Sequence, residues 1–137
     1  MPARHLALGA AGEKAAAEYL QSLGWVVKDR NWQRRGLELD LVCLDPGFTG
    51  GLVFVEVKAR RPGGQGSPAE AVHRVKRERL IRAASLYLSE HRAWNAPCRF
   101  DVIALTAAAN GLELEHIPDA FALSGSLGGR YAPWQPW

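Results

Sequence analysis

Two carboxylates and a lysine in this chain have the types and the spacing that hold a hard divalent cation beside a phosphate ester. Asp40 lies in the run Leu37-Glu38-Leu39-Asp40-Leu41-Val42-Cys43-Leu44, and Glu56 and Lys58 lie in Leu52-Val53-Phe54-Val55-Glu56-Val57-Lys58. Both runs alternate with period two and are rich in Val, Leu and Phe, so both are expected to be strands. Residues two apart on a strand point to one face, which sets Glu56 beside Lys58 and Glu38 beside Asp40. The intervening Asp45-Pro46-Gly47-Phe48-Thr49-Gly50-Gly51 is turn chemistry and predicts an antiparallel pair. Such a pair can bring Asp40 close to Glu56 and Lys58. Carboxylate and carbonyl oxygens are the ligands that Mg²⁺ or Mn²⁺ takes, and a neighbouring ammonium can meet charge growing on phosphate.

Other elements must position these residues. A helix is expected from about Arg4 to Leu23, closed by Gly24 just past its end. Its apolar stripe runs through Leu6, Ala10, Ala17 and Leu20 and takes in Glu13. An unpaired buried charge is costly, so Glu13 needs a partner: a metal ion, a site lysine or a structural salt bridge. Trp25–Trp32 reads as a strand, and Arg60–Gly66, rich in Gly and Pro, as a flap beside the site. Ser67-Pro68-Ala69-Glu70 is a capping box with Pro at the first helical position, opening a helix to about His91. Its stripe is Val72, Val75, Leu80, Ala83 and Tyr87. Lys76 lies within that stripe, so its head either snorkels to the rim or reaches the site.

Arg99–Leu105 and Leu112–Ile117 read as strands joined through Asn110-Gly111, a hairpin signal. Asp101 faces away from Phe100 and Val102 and is expected to pair with Arg99 or a helix, outside the site. His116 reads as structural. The order helix, three strands, helix, two strands predicts an α/β domain with a mixed central sheet flanked by helices. From Ser124 the chain turns into a Gly, Pro and aromatic tail, so the domain is expected to span residues 1–123 and the tail 124–137.

Composition narrows the function classes. An apolar fraction of 47% and a charged fraction of 23% belong to a globular domain with one core. No run of roughly 18 apolar residues exists and no signal-peptide core follows Met1, so no membrane partner is expected and a cytoplasmic location is. Cys43 and Cys98 fall in apolar strands and read as reduced core residues. The formal charge is only +3, but eight Lys/Arg against Glu70 and Glu78 crowd residues 58–82. That local balance of +6 beside a candidate metal site is the footprint of a phosphate-backbone binder.

Asp40 followed by Glu56-Val57-Lys58 matches the D…(D/E)-x-K signature of the PD-(D/E)XK nuclease superfamily. More specifically, the chain resembles the YraN family of predicted endonucleases, related to archaeal Holliday-junction resolvases. The resemblance is carried by Gly12-Glu13-Lys14-Ala15-Ala16, Gly24-Trp25 through Arg30-Asn31-Trp32, Glu38-Leu39-Asp40-Leu41-Val42 and Val53-Phe54-Val55-Glu56-Val57-Lys58-Ala59-Arg60. Pro68-Ala69-Glu70-Ala71-Val72, Arg99-Phe100-Asp101-Val102 and His116-Ile117-Pro118-Asp119-Ala120-Phe121 extend it over roughly residues 5–121. The family usually has Gly before the first acidic residue of its Glu-x-Asp motif, where this chain has Leu37.

The resemblance implies a restriction-endonuclease-like, resolvase-like three-layer fold and a metal-dependent endonuclease acting on DNA, with branched DNA among its substrates. Asp40, Glu56 and the carbonyl of Val57 would hold Mg²⁺ or Mn²⁺, with Lys58 and Glu13 completing the catalytic set. Arg60, Arg61, Arg74, Lys76 and Arg77 would hold flanking phosphates. The related resolvases work as dimers, which implies a homodimer here. The same residues also fit a nucleic-acid-binding protein that does not cleave alone, or a buried ion-pair cluster in an interaction module.

Overall fold

A computed structural model describes residues 2–60 and 74–120. In chain order they form α1 (Pro2–Ser22), β1 (Val26–Arg34), β2 (Leu37–Leu44), β3 (Leu52–Arg60), α2 (Arg74–Glu90), β4 (Cys98–Ala108) and β5 (Gly111–Ile117). The strands make one sheet in the order β1-β2-β3-β4-β5. Only β3 and β4 run parallel, on either side of the crossover that holds α2; the other neighbours are antiparallel. The sheet is therefore mixed, as expected.

Each face of the sheet carries a helix. On one side Leu80, Ala84, Tyr87 and Leu88 of α2 pack with Trp32, Val42, Phe54 and Phe100. On the other, Ala16, Ala17 and Leu20 of α1 pack with Leu41, Val53, Val55, Ile103 and Leu105. Phe54 goes to one cluster and Val53 and Val55 to the other because successive strand side chains alternate faces. Covering both faces explains why β3 and β4 are apolar almost throughout. The result is a three-layer α/β/α arrangement, compatible with the nuclease-like fold.

Turn chemistry matches the backbone. Gly24 takes φ +87°, with its N–H on the Gln21 carbonyl at 3.0 Å and the Trp25 N–H on that of Leu20 at 3.1 Å, a Schellman closure of α1. Arg35 (φ 52°) and Gly36 (φ 78°) join β1 to β2, the two positive φ values of a type I′ hairpin turn. The turn glycine is thus Gly36, which leaves Leu37 free to be an ordinary strand residue.

Several boundaries differ from the sequence expectations. β1 is Val26–Arg34 rather than Trp25–Trp32, and β3 runs on to Arg60 instead of giving way to a loop there. Ala10 is exposed and Val75 is 66% exposed, so neither belongs to a buried stripe. α1 comes close to the sheet at Gly12, where an added Cβ would stand 3.0 Å from Leu105 Cδ1, while Ala10, two residues earlier, is exposed. Val75 sits in the first described turn of α2, ahead of the buried face that starts at Leu80. The rest of the expected flap beyond Arg60, the capping box at 67–70, Val72 and the tail from 124 fall outside the described residues.

Asp101 is wholly buried and faces away from Phe100 and Val102, as expected. It accepts hydrogen bonds from Arg99 Nε at 2.8 Å and the Asp119 N–H at 2.9 Å, and His116 Nε2 lies 2.8 Å away. Burial alone would raise its pKa, but these partners win and hold the carboxyl below its usual range. Arg99 also reaches Asp45 at 3.2 Å, tying β4 to the β2–β3 turn. Asp101→Ala would strand Arg99 and His116, and should cost about 3 kcal/mol in urea unfolding. A loss under about 1 kcal/mol would remove this cluster from the stability of the fold.

Candidate functional site

Asp40 and Glu56 stand where two strands part. The β2–β3 register runs Cys43↔Val53, Val42↔Phe54 and Leu41↔Val55, and ends there. Beyond it, β2 continues against β1 as far as Leu37↔Arg34, while β3 continues against β4 as far as Arg60↔Thr106. Asp40 and Glu56 are the first residue on each arm of the fork. A strand N–H left without a strand partner needs another acceptor. Here the Val57 N–H donates to Asp40 Oδ2 at 2.8 Å, which fixes the Asp40 carboxyl in the opening.

Glu56 is 6% exposed. Lys76 Nζ lies 3.4 Å from its Oε2, an ion-pair distance. The alignment is too poor for a hydrogen bond, and Oε2 has no hydrogen-bond partner among the described residues. The head of Lys76 therefore reaches the site, one of the two outcomes open from its place on the helix. Burial, then the hydrogen bond and charge of neighbouring Glu56, push the Asp40 carboxyl up to about 8. The Val57 N–H and the Lys76 charge oppose that rise. The Asp40 carboxyl is thus held above its ordinary range by its burial beside Glu56.

Glu13 enters from α1, half-buried. Burial raises its pKa, a side-chain hydrogen bond with Asn31 works against the rise, and the charges of Asp40 and Glu38 add to it. Asn31 was not singled out in the sequence reading. Its backbone is left-handed, φ 50°, in the middle of β1, a conformation that Asn tolerates better than most residues. The residue type inside a strand pattern was the available signal. Lys58 follows Glu56 on the same face, half-buried, with no hydrogen bond or ion pair among the described residues.

The Glu56 oxygen bears on whether this donor set suits a divalent cation. A buried carboxylate oxygen without a hydrogen bond, beside a second carboxyl, is a lone pair that a cation would satisfy. Among the described residues no group of three or more His, Cys, Asp or Glu converges as a full cage. Two carboxylates, a backbone carbonyl and waters suit Mg²⁺ or Mn²⁺, which keep several waters, better than a metal wanting an all-protein cage. The residues fit.

The expected phosphate-contacting residues divide. Arg60 ends β3 and is half-buried, Arg74 opens α2, Lys76 contacts Glu56, and Arg77 is half-buried on the following position. Arg61 lies outside the described residues.

A family model described as "Uncharacterised protein family UPF0102" matches residues 12–105, a span that contains Glu13, Asp40, Glu56, Lys58 and Lys76. The chain belongs to the UPF0102 family. This is the family of the YraN proteins to which its motifs pointed. A UPF0102 protein of Nitratidesulfovibrio vulgaris strain DP4 is 48% identical over 135 residues, covering 98% of each chain. A UPF0102 protein of Symbiobacterium thermophilum is 45% identical over 83% of this chain and 95% of its own. One from Geobacter metallireducens is 40% identical over 90% of this chain and 99% of its own. Likeness to UPF0102 relatives thus runs through the whole domain. No described helix is long and apolar enough to cross a membrane.

Proposed function

We propose that this UPF0102 protein is a Mg²⁺- or Mn²⁺-dependent endonuclease that hydrolyses phosphodiester bonds of DNA in the cytoplasm. The observation that carries the reading is the fork: a buried Glu56 oxygen without a hydrogen bond, beside an Asp40 carboxyl that holds a proton well above the usual range. Asp40, Glu56 and the Val57 carbonyl would hold the cation. When bound, such a cation polarises a phosphoryl oxygen and makes water more acidic.

The chain's own residues do the rest. Lys58, on the Glu56 face and free of protein partners among those described, donates to charge that develops on the phosphate. Glu13, with its raised pKa, takes or returns a proton at its carboxyl oxygen and is oriented by Asn31. Lys76 balances the carboxylate pair, and Arg60, Arg61, Arg74 and Arg77 hold phosphates on either side.

Labelled branched, nicked, linear and single-stranded DNA, and RNA, incubated with the protein in Mg²⁺, Mn²⁺ or EDTA test this directly. Metal-dependent cleavage of DNA is expected; a protein that binds these substrates and cuts none of them is a binding module. Binding itself should ignore sequence and fall steeply with salt. With about four to six phosphate contacts, log K against log salt should slope at roughly −4 to −5, and a flat response would rule out the basic block as the contact. A homodimer would place two such sites on one assembly, as a four-way junction requires. Light scattering with and without junction DNA reads this, and a monomer under both conditions removes the junction substrate.

A further inference from the structure

From Lys76 a path leads away from the fork, past Arg79 of the basic block, toward the β1–β2 hairpin. A cleft of about 320 Å³ is lined by Gly36, Glu38, Lys76, Arg79 and Leu80, between the β1–β2 hairpin tip and α2. A second, of about 310 Å³, shares Gly36 and Glu38 with the first and continues past Arg34 and Arg35. Lys76, which lines the first cleft, lies 3.4 Å from Glu56 Oε2, so the two adjoining clefts extend from beside the fork to the hairpin tip.

The charges along this path are set in series. Lys76 and Arg79 are three apart on α2, on one side of the helix. Arg79 donates from its guanidinium to the Gly36 carbonyl at 2.9 Å, which holds the hairpin against the helix and fixes the guanidinium at the cleft. Arg35 is exposed at the tip, in a left-handed conformation (φ 52°), and makes no side-chain hydrogen bond or ion pair among the described residues. Gly36 leaves open space where a Cβ would stand, so the tip backbone can be approached closely. Arg34 is already engaged, paired with Glu90 at 3.2 Å and lying over the Trp32 ring. The one opposing charge is Glu38, whose carboxylate accepts from Gln33 at 3.4 Å.

We propose that the cleft between the β1–β2 hairpin tip and α2 is a second phosphate-binding segment, with Arg35 and Arg79 as its contacts, along which a nucleic-acid strand leaves the metal site. The inference rests on the nuclease reading and extends it. Beyond the fork the strand is held between Arg79 of the basic block and Arg35 of the hairpin. Guanidinium groups suit this task because their planar forks match phosphate oxygens.

The test is fluorescence anisotropy of a labelled DNA duplex in EDTA across a salt series, with no cleavage involved. Arg35→Gln with Arg79→Gln should weaken binding and flatten the salt slope by about 0.9 for each contact removed. Arg79 also steadies the hairpin, so Arg35→Gln alone, which breaks no hydrogen bond or ion pair among the described residues, should still flatten the slope by about 0.9. Glu38→Gln should act in the opposite sense and tighten binding, a result that a loosened hairpin would not produce. Lys28→Ala, exposed at the other end of β1, should lose nothing. Wild-type binding with a steep slope that Arg35→Gln and Glu38→Gln both leave unchanged overturns the cleft and spares the nuclease reading. Wild-type protein with no salt-dependent DNA binding overturns both.

Discussion

Lys58→Ala is expected to slow cleavage by roughly 10²–10³-fold while leaving Mn²⁺ and DNA affinity nearly unchanged. The expectation follows from where Lys58 stands. It shares the Glu56 face of β3, but Lys76 is the amine that approaches the carboxylate pair, so Lys58 is not needed to balance it. An ammonium held ready for charge that appears only in the transition state lowers the barrier without strengthening ground-state binding. Single-turnover cleavage together with anisotropy separates the two quantities. A variant that cuts undiminished would put the reacting phosphate elsewhere. A variant that loses affinity in step with rate would make Lys58 one more phosphate contact.

Asp40→Asn and Glu56→Gln should each abolish Mn²⁺ binding by calorimetry without unfolding the protein. Each keeps shape and removes the charge a cation needs. A pH dependence sharpens the expectation. The Asp40 carboxyl is pushed up to about 8 from an ordinary 3.8, so metal binding must displace a proton below that pH. Affinity should rise with pH by up to about tenfold per unit and level off near 8.

Stability of the metal-free protein should run the other way. A folded pKa above the unfolded one means the folded chain holds a proton that the unfolded chain has released. The site therefore favours folding at pH 4 and loses that advantage between pH 4 and 8, by at most about 1 kcal/mol per unit. Asp40→Asn should remove this slope and be more stable than wild type at pH 8. Equal stability of the two proteins at pH 8 would dismiss the raised Asp40 carboxyl, and unimpaired Mn²⁺ binding by both variants would dismiss the fork as a metal site.

How far the sequence carried can be judged residue by residue. Asp40, Glu56 and Lys58 were legible because period-two alternation assigns faces and the Asp45–Gly51 turn dictates an antiparallel partner. The reach of Lys76 was half legible: its apolar neighbours located it on the inward side, but only the packing of α2 on the sheet decides where a long side chain ends. Ala10 and Val75 misled because helical periodicity counts apolar residues without knowing where a helix touches the sheet. Gly12, with Leu105 against it, is one such point, and a glycine inside a helix gives no apolar signal. The raised Asp40 carboxyl was out of reach altogether. It arises from burial of the carboxyl beside Glu56, and neither the depth of burial nor that neighbour is set by composition or period alone.

The single parallel pair in the sheet has a consequence for how the protein comes to be folded. β1, β2 and β3 are joined by short turns, and β4 and β5 by another, so each group can form from contacts near in sequence. The pairing of β3 with β4 must wait for the whole stretch from Arg60 to Cys98 to close, which is the slow, entropy-opposed step. Until then Val53, Val55 and their neighbours present an unpaired apolar edge, the kind of surface on which nascent chains aggregate. Glu56 pairs with Val102 across that same junction, so the carboxylate acquires its dry surroundings only when the two halves meet. The surroundings of Glu56 are thus completed by the pairing of β3 with β4, and a chain stalled short of that pairing has this carboxylate still in water.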